Sequence, residues 1–269
     1  MSPELGEFDA DAFAELWSES PDVAATLALG CARATDERLR DAALTAARQL
    51  VIRLASAHHQ SRSGVAKRRV LRNVEGDLDL DASVDAIIHT KLLSTQPSVE
   101  DLMMSTWRTS DRHIVVAIDT SGSMTPVQVL IGCVAAASLV QRSPETSVLA
   151  FSSRPMWVNP PHTRAELAGV FDTLISLKPA GATNLASALR AGIRAFDGLV
   201  GAKHLLVISD GQANEGPPLD TVDLGDIELT IFTGAETAGA TEVTERLGGR
   251  VIVLDQVDSV GRRISEALR

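Results

Sequence analysis

The sequence has no tyrosine and only three tryptophans and six phenylalanines among 269 residues. Its core therefore has to be aliphatic, and it offers little surface on which nucleic-acid bases could stack. Its two cysteines, Cys31 and Cys133, lie far apart in helical patterns. They form no disulfide framework and read as small buried or half-buried thiols in a reducing compartment. No apolar run reaches membrane-spanning length, and the N-terminus lacks the basic and apolar regions of a secretory signal. The expected location is cytoplasmic. A formal net charge of -10 argues against nucleic acid and anionic membranes as partners and favours cations and basic surfaces. The sequence has no G-x-x-x-x-G-K-[ST] loop for ATP phosphates and no G-x-S-x-G nucleophile elbow.

What is present centres on His113 to Met124, H-I-V-V-A-I-D-T-S-G-S-M. Five consecutive apolar residues, Ile114 to Ile118, predict a strand buried on both faces, as in a parallel sheet. The run stops at Asp119, and Ser121, Gly122 and Ser123 follow as a polar turn. Thr125-Pro126 then offers a capping hydroxyl and a proline at the first helical position. Val127, Leu130, Ile131, Val134, Leu139 and Val140 recur at the spacing of one helix face. The turn thus sits at the carboxyl end of a parallel strand, where open α/β sheets place ligands. One carboxylate and two hydroxyls at alternate positions suit a hard cation that keeps several waters, Mg2+ above all, and the lack of cysteine and histidine disfavours zinc. The plainer alternative is that Asp119 and Ser123 cap the helix. A halo-acid-type phosphatase would need a second acid two residues after Asp119, where this sequence has Ser121.

Two later stretches bear on that choice. Pro179 to Leu185, P-A-G-A-T-N-L, presents Thr183 just before a helical pattern of Leu185, Leu189, Ile193 and Phe196. Leu205 to Gly211, L-L-V-I-S-D-G, is a second buried strand ending in an acid, Asp210. Together these residues resemble the von Willebrand factor type A (VWA) domain and its metal-ion-dependent adhesion site, built from D-x-S-x-S, a threonine and an aspartate. The matching positions are Asp119, Ser121, Ser123, Thr183 and Asp210, with Ser209 to Asn214 matching the usual surroundings of the last aspartate. The resemblance covers Asp111 to about Leu268. It implies that the two serines and the threonine contact Mg2+ directly, with Mn2+ or Ca2+ as alternatives, while the aspartates act largely through water. A carboxylate from a partner would complete the octahedron. Closure of the Thr183 loop and movement of the last helix would couple ligation to shape.

The rest of the chain reads as follows. Met1 to about Gly6 is unpatterned. Helical signals run through Phe8, Phe13 and Leu16 to Trp17, then Val23 to Cys31, then about Asp36 to Ala57, where Leu39, Ala43, Ala46, Ala47, Leu50 and Leu54 form the apolar stripe. His58 to Ala66 is polar, and the basic cluster Arg62, Lys67, Arg68, Arg69 and Arg72 reads as a solvated loop or as a contact for an acidic partner. Gly76 to His89 alternates through Leu80 and turns helical from Ala82. Its four aspartates lack the glycine and closing glutamate of a calcium loop. This stretch, with Val99 to Leu102, resembles the segment preceding the VWA domain in magnesium- and cobalt-chelatase D subunits and CoxE-like proteins. The resemblance implies an AAA+ ATPase partner of the MoxR or chelatase type. Strands at Thr146 to Phe151, Met156 to Val158, Glu228 to Phe232 and Arg250 to Leu254 alternate with helices at Thr163 to Leu177, near Thr241 to Leu247, and Val257 to Leu268.

The expected fold is α/β, a doubly wound, mostly parallel Rossmann-like sheet with an N-terminal helical extension. The expected divisions are residues 1–75, a helical region and basic linker; 76–110, a connecting segment; and 111–269, the VWA domain. The expected function is that of a Mg2+-dependent interaction module, not an enzyme, working with a MoxR-type ATPase. A chelatase D-like component and, less strongly, a metal-dependent hydrolase are the alternatives.

Overall fold

A computed structural model describes residues 9–31, 36–57, 67–71, 77–78, 81–84, 87–88, 102–108, 112–254 and 256–268. Residues 58–66, Arg72, 79–80, 85–86 and 99–101, which fall in stretches read above, lie outside them. By their contacts the residues form two compact units: one of Met1–Ser61, His113–Leu199 and Lys203–Arg269, the other of Arg62–Arg112 with Val200–Ala202.

The second unit is a three-stranded antiparallel sheet of β1 (Lys67–Leu71), β2 (Asp77–Leu78) and β3 (Met104–Arg108), in the order β1-β3-β2. Lys67 pairs with Arg108 and Leu71 with Met104. Lys67, Arg68 and Arg69 are therefore strand residues rather than part of a solvated loop. The run K-R-R-V-L shows no apolar alternation, and its ladder partner lies more than thirty residues downstream.

The first unit carries a six-stranded sheet of β4 (Arg112–Asp119), β5 (Ser147–Phe151), β6 (Pro155–Asn159), β7 (Ala202–Ile208), β8 (Ile227–Thr233) and β9 (Arg250–Val253), ordered β6-β5-β4-β7-β8-β9. β5 runs parallel to β4, β8 to β7 and β9 to β8, while the edge strand β6 is antiparallel. The chain winds from β4 outward to β6, then crosses back to β7 and winds the other way. The order thus reverses between β4 and β7, and a doubly wound sheet opens its ligand crevice at such a point.

Burial on both faces explains the unbroken apolar runs. Val116 and Ile118 of β4, Val148 and Ala150 of β5, and Leu206 and Ile208 of β7 face one core; Val115, Ala117, Leu149, Phe151, Leu205 and Val207 face the other. The first core is closed by α4 (Pro126–Arg142), α5 (Leu167–Ser176) and α8 (Val260–Ala267), the second by α6 (Leu185–Arg194) and α7 (Ala238–Leu247). α4 lies close on β4: a Cβ at Gly132 would stand 2.7 Å from Ile118 Cγ2.

The N-terminal helices α1 (Ala10–Glu19), α2 (Pro21–Cys31) and α3 (Glu37–Ala57) share the first core through Phe13, Ala24, Ala47, Val51 and Ala55. The fully buried line of α3 is Ala43, Ala47, Val51 and Ala55, at every fourth residue, with Leu44, Ala46 and Leu54 flanking it. Small side chains let α3 approach the alanine-rich middle of α4, where Ala135, Ala136 and Ala137 are buried. Arg48 also pairs with Asp172 of α5, a half-exposed contact of the kind that adds little.

Both cysteines are buried and unpaired, and burial pushes the Cys133 thiol up to about 12. A thiol reagent at pH 8 should therefore leave Cys133 unmodified in the folded protein and reach it only as fast as the chain unfolds. Rapid native-state labelling at Cys133 would contradict this packing. Among the described residues no helix is long and apolar enough to cross a membrane.

Candidate functional site

Asp119 ends β4 with its carboxylate fully buried. Oδ1 accepts the Ser121 backbone N–H at 2.8 Å, and Oδ2 accepts the Ser209 hydroxyl at 2.6 Å. Ser121 Oγ and Ser123 Oγ lie 3.1 Å apart, the first buried and the second exposed. Helix α4 is capped not by Asp119 or Ser123 but by Thr125. Its hydroxyl accepts the Gln128 N–H at 3.3 Å while Gln128 Oε1 accepts the Thr125 N–H at 2.8 Å. This closed capping box answers the plainer reading of the D-x-S-x-S turn: the helix does not need those oxygens.

The 177–184 loop is stitched to that turn. The Ala180 N–H donates to the Thr120 carbonyl at 2.9 Å, the Gly122 N–H to the Gly181 carbonyl at 3.1 Å, and the Asn184 N–H to the Ser152 carbonyl at 2.8 Å. Thr183 is wholly buried, and its backbone is fixed: its N–H donates to Asn214 Oδ1 at 2.7 Å, and its carbonyl accepts the N–H groups of Asn214 and Glu215, each at 3.2 Å. Its side chain is different. Thr183 Oγ1 is buried with no hydrogen-bond partner. Leaving a hydroxyl in that condition costs roughly 1–3 kcal/mol, so such an atom asks for a ligand.

Asp210 follows β7, half-buried, with Oδ1 accepting the Gln212 N–H at 2.9 Å. Burial pushes the Asp119 carboxyl above its ordinary range, hydrogen bonds from Ser209 and Ser121 pull it back, and the neighbouring Asp210 charge adds to the rise. Two acids on adjacent strands at the reversal point of the sheet thus repel each other, a situation that a cation relieves.

Three positions outside the D-x-S-x-S, threonine and aspartate pattern hold this arrangement together. Ser209 bonds Asp119 and also accepts the Gly211 N–H at 3.1 Å, and Asn214 pins Thr183. Gly211 has φ +76, and a Cβ there would stand 2.2 Å from the Ala240 backbone nitrogen. Gly211→Ala should cost about 3 kcal/mol from positive φ and backbone overlap together. Chemical denaturation would check it, and an unchanged midpoint would mean that the 210–216 segment does not need its packing on α7.

Among the described residues no group of three or more His, Cys, Asp or Glu side chains is placed to hold a metal. The set here is instead two carboxylates with three hydroxyls, hard oxygen donors of the kind Mg2+ accepts.

The model of a family described as "VWA domain containing CoxE-like protein" matches residues 50–225. None of the curated proteins matches the chain in sequence. Among solved structures, an aerotolerance-related membrane protein of Bacteroides fragilis NCTC 9343 aligns with 58% of this chain and 98% of its own, at 16% identity and a TM-score of 0.49. The conserved hypothetical protein BatB of Bacteroides thetaiotaomicron aligns with 58% of this chain and 96% of its own, at 16% identity and a TM-score of 0.48. Proximal thread matrix protein 1 of the mussel byssus, solved with a zinc-occupied MIDAS motif, aligns with 59% of this chain and 47% of its own, at 13% identity and a TM-score of 0.49.

Proposed function

The chain belongs to the CoxE-like VWA domain family, and from that premise we propose that it is a cation-dependent protein-interaction module whose partner supplies an Asp or Glu. Ser121, Ser123 and Thr183 would hold Mg2+ through their hydroxyls, with Asp119 and Asp210 behind them. The observation that carries this reading is the buried, unpartnered Thr183 Oγ1, in a loop whose Ala180 and Gly181 are hydrogen-bonded to Thr120 and Gly122 of the serine turn.

The bound cation would supply an under-compensated positive charge at the carboxyl end of the sheet, because hydroxyls leave most of its charge exposed to an incoming carboxylate. The protein contributes the geometry. Asp119 orients the Ser121 backbone through Oδ1, the capping box fixes where α4 begins, and the Ala180 and Asn184 N–H groups, donating to Thr120 and Ser152, with the Gly181 carbonyl, accepting from Gly122, tie the Thr183 loop to the serine turn and to the β5–β6 hairpin. VWA domains generally serve as interaction modules, and the partner proposed is the one the sequence resemblance implies, an AAA+ ATPase of the MoxR type.

Calorimetric titration of Mg2+ into wild type and Asp119→Ala tests the site. Wild type should bind with a measurable heat, and the variant should not. A pull-down with a MoxR-type ATPase tests the partner, with capture expected only in Mg2+ and only by wild type. Equal capture by both proteins, or capture indifferent to chelator, would refute the cation bridge.

A further inference from the structure

Among the described residues, four exposed charges on segments joined to the hydroxyl site divide by sign. On the β5–β6 side, Arg154 stands in the hairpin, where its carbonyl accepts the Ser152 N–H at 3.4 Å; the same hairpin is tied to the Thr183 loop through the Ser152 carbonyl. Lys178 lies two residues before Ala180, which is bonded to Thr120. On the β7–β8 side, the Glu215 N–H donates to the Thr183 carbonyl at 3.2 Å. Glu236 lies in the segment between β8 and α7, two residues before the helix whose first turn packs on Gly211, its carbonyl accepting the Thr233 hydroxyl at 2.9 Å. All four side chains are exposed, and among the described residues none of them makes an ion pair. Met156, two residues after Arg154 at the start of β6, is 45% exposed.

A rim with cations on one side and anions on the other rejects uniform partners. An all-acidic segment would meet Glu215, Glu236 and Asp210; an all-basic one would meet Arg154, Lys178 and the cation. Like-charge contacts of this kind set specificity more than affinity. We infer that the site takes an extended partner segment of mixed charge. A central Asp or Glu reaches the cation, acidic side chains lie toward Arg154 and Lys178, basic side chains lie toward Glu215 and Glu236, and an apolar residue rests on Met156. This rests on the cation-bridge reading above and adds to it the character and orientation of the partner.

The test uses fluorescence anisotropy of the full chain in millimolar Mg2+ at low ionic strength. The probes are short labelled peptides with a central Glu: acidic residues before it and lysines after it, the reverse order, acidic residues on both sides, and each with Gln at the centre. At least one mixed-charge order should bind about tenfold more tightly than the all-acidic peptide. Arg154→Glu should weaken that peptide about fivefold, Glu215→Lys should strengthen the all-acidic peptide by a similar factor, and added salt should erase both differences. If the central Gln and chelator abolish binding but flanking charge and the two substitutions change nothing, the mixed-charge inference is wrong while the cation bridge stands. If the central Gln and chelator leave binding unchanged, the cation bridge itself fails. Absence of binding by every peptide at millimolar concentration overturns mixed-charge recognition.

Discussion

Thr183→Val is expected to abolish cation binding and, in metal-free protein, to raise the melting temperature. Both signs come from one atom. Thr183 is wholly buried and its Oγ1 has no hydrogen-bond partner, so the metal-free fold bears the desolvation of a hydroxyl with nothing in return. Valine has nearly the same shape and removes that cost. The gain should be on the order of 1 kcal/mol, about 2–4 °C in a chain of this size. The backbone bonds to Asn214 and Glu215 use main-chain atoms of Thr183 and survive the change. If, as proposed, Thr183 is one of three direct hydroxyl ligands, its loss should weaken Mg2+ by more than about 100-fold, beyond the usual effect of disturbing an outer-shell group. The measurement is thermal unfolding of both proteins in chelator and in Mg2+. In chelator the variant should melt higher; on adding Mg2+ only wild type should gain, because only it binds a ligand in the folded state. A threonine that served packing alone would give a variant that is neutral or less stable and equally responsive to Mg2+, and that result would remove Thr183 from the site.

The fold was legible where burial dominates. Ile114 to Ile118 and Leu205 to Ile208 are unbroken apolar runs because each strand has a core on both faces, and a two-sided strand needs no alternation. Thr125-Pro126 announced the start of α4 because capping is local chemistry. Boundaries set by tertiary contacts were less visible. The helix expected from Thr163 begins at Leu167, because the chain first turns through exposed Thr163 and Arg164 and ties the Ala165 N–H to the Pro144 carbonyl. The helix expected over Val257 to Leu268 opens as a 3-10 turn and becomes α-helical at Val260. In α3 the expected stripe included Ala43 and Ala47, which are buried, but not Val51 and Ala55, which continue the same line, since helix-to-helix approach selects small side chains there. At the site, residue types and their order pointed to the oxygen donors. The residues that hold those donors, Ser209, Asn214 and Gly211, gain meaning only when the strand ends are side by side.

Ser209→Ala is the second large effect expected, a loss of about 3 kcal/mol in metal-free protein at neutral pH. The Ser209 hydroxyl donates to a buried carboxylate and accepts a buried backbone N–H; hydrogen bonds to charged groups contribute roughly 1.5–3 kcal/mol, and an orphaned buried donor adds about 1 kcal/mol or more. A double-mutant cycle with Asp119→Asn separates the two parts. With the charge gone, Ser209→Ala should still cost a neutral hydrogen bond to the amide and the Gly211 contact, about 2 kcal/mol together, leaving a coupling near 1 kcal/mol. The pH dependence follows from the same bond. Burial raises the Asp119 carboxyl above its unfolded value, so the stability this gives is fully present below the unfolded pKa of about 3.9 and is lost as pH rises through the folded one. The Ser209 bond favours the ionised form and opposes that loss, so its removal should matter most at neutral pH and shrink as the solution is acidified through the folded pKa. Urea midpoints of the four proteins in chelator, at neutral and acidic pH, measure all of this. A coupling energy near zero at neutral pH would mean that Asp119 is not held by Ser209, and the buried carboxylate would then have to be oriented by Ser121 alone.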